Sequence, residues 1–494
     1  MTQPSRAAPR WLPSPFALVA AVYVAFFVAL VVARGLVDAD YFWHVTTGRL
    51  IAESGSVPST DPFSFTWAGQ PWVLHEWLGQ LFIHLLVSSG GAVPAGVVFG
   101  VIIGAAPLVV GLALRAEGVR VASIAALLAL AAYVFAPFAT VRPQAISWLL
   151  VALLIGLLMR LRSEHRLRPW LVVPLFALWA NVHGLYVVGL GVLGLYALFS
   201  LLGRTVMAPR RWTVIGMVAA AFAASALTPA GIEGLVYPLR YLDGSDWGIR
   251  NIQEWQSPDF HDPRHWGLLL LIAGLALNGG RATPGWLTTL SLVGIVMALV
   301  ATRNAPLAAL FALPTLALGL DDRLLRWDRP ERPRTDAGRR VLETGVTAIL
   351  VAAVLVIIPG AVSADAALRR GFPVEGAGAL ERVLPDARVL ADYDWGGYAI
   401  YRHYEDGGRV FVDGRSDMYG DAILQDYSTI RAADDGWAEL TERYGVEAIL
   451  LPPSAPLVRG AAQEAGWCEA HRDEISVLLL RESCPREASA SIGP

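Results

Sequence analysis

Hydrophobic residues in this chain come in long blocks, not in the short alternations of a soluble sheet. Apolar runs fall near 15–37, 92–114, 119–137, 143–160, 169–180, 184–203, 212–228, 266–280, 284–301, 305–320 and 341–361. A helix needs ~20 apolar residues to cross a ~30 Å hydrocarbon core, so the runs predict about eleven crossings. The first run ends in acids, not small residues, and so reads as a span and not a cleavable signal. The fold class expected is mainly α: a polytopic transmembrane helical bundle.

Two stretches have a different period. Residues 77–86 repeat apolar pairs at helical spacing with Gln80 and His84 opposite, which predicts an amphipathic helix on the exoplasmic interface. Residues 43–53 predict a second interfacial helix, followed by a loop at 58–62. After Ala361 the blocks give way to short β-rich runs at 388–391, 409–412, 448–451 and 475–480, separated by helical stretches. Two domains are expected: a membrane domain over 1–361, with its first exoplasmic loop at 38–91, and a soluble α/β domain over 362–494.

Charge then sets a direction. Dense arginine connections at 160–168, 204–211 and 323–340 fall on one side when spans alternate from a cytoplasmic N-terminus. The positive-inside rule places that side in the cytoplasm and the C-terminal domain outside it. The only cysteines, Cys468 and Cys484, sit in that exoplasmic domain and are a candidate disulfide.

Composition narrows the chemistry. The 494 residues are 55% hydrophobic and 16% charged, against about 25% charged in soluble domains. All 39 residues counted as Lys or Arg are Arg, so a Schiff-base lysine and a P-loop lysine are excluded. A net charge of −3 carries no information on nucleic acid, and no nucleic-acid partner is expected. HExxH, CxxC and GxSxG motifs are missing, which leaves zinc and serine hydrolysis without support.

The polar residues that remain gather on the exoplasmic side. The first span leads into Asp38-Ala39-Asp40-Tyr41-Phe42-Trp43-His44, where two acids one residue apart repel each other and suit a cation, a phosphate-bound metal or a proton transfer. On the same side fall His75, Glu76, Gln144, Asn181, His183 and Glu254, with Arg142 and Arg303-Asn304 beside prolines. The run 169–180 rises only about 18 Å as a helix, so Asn181-Val182-His183-Gly184 interrupts the chain near the outer leaflet. Broken spans with polar residues at the break point to binding sites. Singly, Asp38 reads as a helix cap, His183 as a core histidine and Glu254 as a solvated acid; their coincidence on one face favours a site.

Asp38-x-Asp40-x-x-Trp43-His44, the Gly48-Arg49 helix, Val57-Pro58-x-Thr60-Asp61-Pro62-Phe63-Ser64 and Trp72-x-x-His75-Glu76-Trp77-Leu78 together resemble bacterial GT-C membrane glycosyltransferases. Trp179-Ala180-Asn181-x-His183-Gly184, Glu254-Trp255, Thr302-Arg303-Asn304, Asp394-Trp395-Gly396-Gly397-Tyr398 and Asp413-Gly414-Arg415 extend the resemblance along the chain. It implies a bacterial inner-membrane protein with its C-terminal domain in the periplasm or outside the cell, a polyprenyl-phosphate sugar donor in the lipid bilayer and a lipid, glycan or protein acceptor, with transfer that inverts the anomeric centre. Asp40 or Asp38 would be the base, with Asp40 favoured because it lies nearer the interfacial helix. His44, His75, Glu76, Arg142, Asn181, His183, Glu254, Arg303 and Asn304 would contact donor phosphate or substrate. Asp38, Asp40, His75 and Glu76 are the candidate ligands for a divalent cation, Mg or Mn. The C-terminal domain would bind acceptor or regulate. A transporter or flippase of lipid-linked sugars would instead need ionisable residues near mid-membrane and two related halves. An inactive GT-C-like scaffold is the other alternative.

Overall fold

A computed structural model describes residues 14–34, 38–163, 168–203, 211–237, 246–278, 283–327, 364–462, 464 and 466–481. The helices of the apolar part are α1 (Pro15–Arg34), α2 (Tyr41–Ser54), α3 (Trp77–Gly90), α4 (Ala92–Ala116), α5 (Val121–Phe135), α6 (Pro143–Ser163) and α7 (Val172–Val182). They continue as α8 (Tyr186–Leu201), α9 (Arg211–Ser225), α10 (Gly231–Val236), α11 (Asp246–Asn251), α12 (Trp266–Asn278), α13 (Gly285–Val300) and α14 (Ala305–Trp327). Every apolar run within the described residues is helical; the run at 341–361 lies outside them. Among the described residues five stretches, Pro15–Arg34, Ala92–Ala116, Val121–Phe138, Pro143–Leu161 and Thr302–Arg323, are long and apolar enough to cross a membrane, and the other apolar helices described are shorter. The protein is a multi-pass membrane protein.

Small residues let these helices meet closely. Gly96, Gly100 and Gly104 line one face of α4 at intervals of four and receive Val32, Val28 and Val24 of α1; a Cβ on Gly100 would stand 2.4 Å from the Val28 Cα. At the end of the bundle away from α2, Arg120 donates through Nε to Asp321 at 2.8 Å and Ser123 donates to the same carboxylate at 3.0 Å, tying α5 to α14. The expected amphipathic helices are α2 and α3. They cross at Gly48, where a Cβ would lie 2.2 Å from the Gln80 carbonyl oxygen.

The C-terminal part is α/β, with helices α15 (Ala364–Gly371), α16 (Val374–Val383), α17 (Gly396–His403), α18 (Ser416–Ala432), α19 (Trp437–Tyr444) and α20 (Pro456–Ala461). Its strands are β1 (Arg388–Ala391), β2 (Arg409–Val410), β3 (Ala448–Leu451), β4 (Trp467–Arg472) and β5 (Val477–Arg481), ordered β2-β1-β3-β5-β4. β1 runs parallel to β2 and β3, while β5 is antiparallel to β3 and β4. One expectation is corrected here, and one strand has no counterpart among the expected runs. The strand at 409–412 stops at Val410, and β4 escapes the pattern because its edge position leaves no continuous apolar face.

The first loop joins this sheet. Ser64 bridges Val410 in parallel, Val410 N–H donates to Phe63 at 3.1 Å, and Phe65 N–H donates to Val410 at 3.1 Å. Residues 63–65 thus cover the β2 edge, which removes an exposed row of backbone donors and acceptors. Beside them Arg415 is buried, donating to Asp61 at 2.7 Å and to Asp413 at 2.7 and 2.6 Å. The C-terminal α/β part is therefore seated on the loop that carries the two acids.

Candidate active site

The turn after α1 presents Asp38 and Asp40 in different directions. Asp38 points inward with its side chain 3% exposed and receives Arg142 Nε at 2.7 and 2.6 Å. Its Oδ1 also accepts the Asp40 backbone N–H at 2.9 Å. Burial pushes this carboxyl up, but the Arg142 charge and hydrogen bonds from Thr140 and Arg142 outweigh it, so Asp38 stays below the usual carboxylate range. Asp40 faces a cavity of about 380 Å³. Its Oδ1 accepts Trp43 Nε1 at 3.1 Å and its Oδ2 lies 3.3 Å from Arg142 Nη2. Burial lifts the Asp40 carboxyl to about 7; Arg142 opposes the rise, while the charges of Asp38 and Glu254 add to it. One arginine thus holds one acid ionised and leaves the other near neutrality.

Arg142 continues to Glu254, whose Oε2 is 3.2 Å from Nη1. Glu254 lies on a short 3-10 turn, Gln253–Trp255, fixed by Thr302: its hydroxyl donates to the Glu254 carbonyl at 3.1 Å and its N–H to the Gln256 carbonyl at 3.0 Å. The other Glu254 oxygen meets Arg303 Nη1 at 3.6 Å, and the Arg303 guanidinium sits 5.0 Å over the Trp255 ring. Burial raises the Glu254 carboxyl, yet Arg142 and Arg303 bring it below its ordinary value.

Across the cavity Glu76 is surrounded by imidazoles: His183 Nε2 at 3.2 Å, His75 Nε2 at 3.6 Å and His44 Nδ1 at 3.8 Å. His183 Nδ1 accepts the Leu185 N–H at 3.1 Å, so its proton is on Nε2 and faces the carboxylate. Burial holds His44 down at about 4 and His183 at about 3 against the pull of Glu76. Burial also lowers His75, but its hydrogen bond and charge contact with Glu76 reverse the sign. Burial raises Glu76; the surrounding histidines, His183 first, bring it well below a normal glutamate. The arrangement is an ionised Glu76 beside two neutral histidines, with His75 the one that its contact with Glu76 pulls toward the protonated form.

The cavity therefore gathers Asp40, His44, His75, Glu76, Arg142, His183, Glu254 and Arg303, with Gln144 beside them. Asp38 opens instead on an adjoining chamber of about 90 Å³ with Thr140 and Trp148. Asn181 and Asn304 are not brought to either cavity. Asn181 accepts Trp77 Nε1 at 2.8 Å and donates to the Ala177 and Leu227 carbonyls, so it holds the break at the end of α7 together. Asn304 donates to the Met297 carbonyl at 3.1 Å. Cys468 is on β4, and Cys484 lies outside the described residues.

Among the described residues no group of three or more His, Cys, Asp or Glu is placed to hold a metal ion. Asp38 gives both oxygens to Arg142, and Glu76 is enclosed by histidines, so Asp38, Asp40, His75 and Glu76 do not form one ligand set.

The cavity also has a C-terminal wall, formed by residues that the sequence pattern did not assign to the site. Tyr393 and Asp394 follow β1, and Gly414, Arg415, Ser416 and Asp417 follow β2; all line the cavity. Asp417 accepts the Tyr237 hydroxyl at 2.5 Å. The available signal was topological: ligands of open α/β sheets bind outside the carboxyl ends of parallel strands, where these loops lie.

No protein-family model and no curated protein matches the chain. Solved structures do. The oligosaccharyltransferase of Archaeoglobus fulgidus in its apo form matches with a TM-score of 0.58 and 14% identity, over 88% of this chain and 69% of that one. ArnT from Cupriavidus metallidurans, bound to undecaprenyl phosphate, matches with 0.57 and 14% identity, over 97% of this chain and 98% of that one. The archaeal protein in complex with Zn and sulfate gives 0.55 and 12%, over 89% and 68%. At such identities the likeness establishes a shared fold.

Proposed function

We propose that this chain, which has the GT-C fold of those two proteins, is a membrane glycosyltransferase using a polyprenyl-phosphate sugar on the exoplasmic face. The bound undecaprenyl phosphate of ArnT supports the donor class. The observation that carries the reading is the division of labour between the acids: Asp40 alone lines the cavity, near neutrality, while Asp38 is fixed to Arg142.

Asp40 is the general base. A base whose pKa lies near the working pH combines the right protonation state with a useful proton affinity. The acceptor hydroxyl oxygen attacks the anomeric carbon opposite the phosphate as its proton passes to Asp40. The bond from the anomeric carbon to the phosphate oxygen breaks, and its electron pair leaves with the prenyl phosphate, which inverts the centre. Arg303 receives that phosphate, since its ion pair to Glu254 is long and a planar guanidinium suits phosphate oxygens. Arg142 adds positive charge from the side of Asp40.

The membrane domain over 1–361 would hold the prenyl tail, and the domain over 362–494 would stand in the periplasm or outside the cell with a Cys468–Cys484 disulfide. A lipid, glycan or protein hydroxyl meets the same chemistry, so the acceptor class is left to the assay. The test is a transfer assay on purified protein in nanodiscs with undecaprenyl-phosphate sugars and an acceptor panel. Consumption of a donor and loss of transfer on Arg303→Ala are expected. A protein that neither binds nor consumes any of these donors would refute the reading.

A further inference from the structure

Gly414 belongs to the C-terminal domain, yet its nearest obstacle is the carboxylate of Asp40. A Cβ built on Gly414 would fall 2.1 Å from Asp40 Oδ1, 3.2 Å from its Cγ and 3.3 Å from Trp43 Nε1. Gly414 is not among the residues with positive φ, so the backbone itself would accept a side chain. What forbids one is the position of the acid.

The surroundings show why the approach is so close. Gly397, at the start of α17, packs on the acid-bearing turn: a Cβ there would lie 2.6 Å from the Ala39 carbonyl oxygen and 3.1 Å from Trp43 Cδ1. The next residue after Gly414 is Arg415, buried between Asp61 of the first loop and Asp413. Phe42, on the helix that follows the acids, is ringed by Phe372, Tyr398 and Tyr401, with centroids 4.9, 4.9 and 5.5 Å away. The backbone at Gly414 is thus pressed onto the carboxylate by contacts on either side of it.

We propose that Gly414 is a positioning residue for Asp40, so that the C-terminal domain forms one wall of the base's seat and is a working part of the catalytic machinery. The inference rests on Asp40 being the base. Trp43 Nε1 fixes Oδ1 from α2, Arg142 Nη2 approaches Oδ2 from the start of α6, and Gly414 closes the third side. With only a hydrogen at Gly414, the carboxylate keeps the rotamer that turns it toward the cavity. A methyl there displaces a side-chain oxygen and no backbone atom, so the chain still folds while the base moves. Displacement of a reacting group by about 1 Å costs on the order of 10²-fold in rate.

The test compares full-length wild type, Gly414→Ala, Asp40→Asn and the Asp40→Asn, Gly414→Ala double variant in nanodiscs, with the undecaprenyl-phosphate sugar and acceptor that the wild type turns over. For Gly414→Ala we expect kcat to fall between tenfold and a hundredfold with donor KM unchanged. In the Asp40→Asn background the same substitution is expected to remove nothing further. A kcat within twofold of wild type, or an equal fall in both backgrounds, overturns the proposal. Should Gly414→Ala fail to fold, the Asp40→Ala, Gly414→Ala variant decides. Lacking Oδ1, it should melt with Asp40→Ala, and a melting temperature well below that overturns the proposal. An Asp40→Asn protein that stays fully active sinks the assignment of the base itself, a different failure from an unaffected Gly414→Ala.

Discussion

Replacing Arg415 with methionine tests how the C-terminal domain is held to the membrane part. Arg415 is 2% exposed and serves two carboxylates that are 0% exposed, Asp61 on the first loop and Asp413 in its own domain. Its guanidinium also lies 4.7 Å from the Trp72 ring centroid and 5.1 Å from that of Phe63. Methionine retains much of that apolar contact and leaves two buried carboxylates without a counter-charge. Breaking a buried ion pair by removing one partner costs about 3–5 kcal/mol, although the intact pair gives little net stability over an apolar substitute. If the cost falls on local opening of the interface, amides there exchange between about a hundredfold and a few thousandfold faster. Hydrogen exchange followed by mass spectrometry on the full chain reads this at Phe65, whose N–H donates to Val410, and at Trp72, whose N–H donates to Ser59. Asp61→Asn keeps the paired contacts from Arg415 to Asp413 and should loosen the same amides less. Exchange in Arg415→Met equal to wild type would refute the reasoning.

Activity should fall on the acid side with a midpoint near pH 7, because Asp40 must be deprotonated to accept a proton and its carboxyl sits at about 7. Glu254→Gln removes a charge that raises Asp40, so the same limb of the kcat/KM profile should move to lower pH; a limb that stays in place contradicts the electrostatic argument. His403 is buried with both ring nitrogens unpartnered among the described residues, and burial holds it at about 4. Its folded pKa lies below the unfolded value, so its contribution is complete above about pH 6.5 and is lost as pH falls toward 4, roughly 3 kcal/mol in all. His403→Leu should therefore flatten the acid side of a melting-temperature profile, and an unchanged slope would count against it. Arg303→Ala should weaken binding of undecaprenyl phosphate by about tenfold or more, since a charge-assisted contact is lost; titration calorimetry in nanodiscs measures it.

Much of the membrane part was legible because its signal is local. A run of apolar residues folds as a helix whatever its neighbours, and within the described residues each expected run does so. The gathering of polar residues was legible for a related reason: the acids and histidines fall at span ends away from the arginine-rich connections, and the cavity brings most of them together. What the pattern could not say was which polar residues turn inward. Asn181 looked like a ligand at a broken helix and instead satisfies backbone carbonyls at the break, a role with the same sequence signature. Asp38 and Asp40 are two residues apart, and only the approach of Arg142 from the start of α6 separates their roles. The pairing of residues 63–65 with β2 joins segments hundreds of positions apart, and no short-range period encodes it. The same distance hid the contribution of Asp394, Gly414 and Asp417 to the cavity wall.

The most direct test of the account sets Asp40→Asn against Asp38→Asn in one transfer assay with parallel thermal unfolding. Asn at position 40 keeps the shape of the side chain and cannot take the proton. Its kcat should be lower by about 10²- to 10⁴-fold with the melting temperature little changed. Asn at position 38 strips the fully buried partner from Arg142, and the account predicts a lower melting temperature as its leading effect. Full activity in Asp40→Asn, with activity lost in a stably folded Asp38→Asn, would contradict the account.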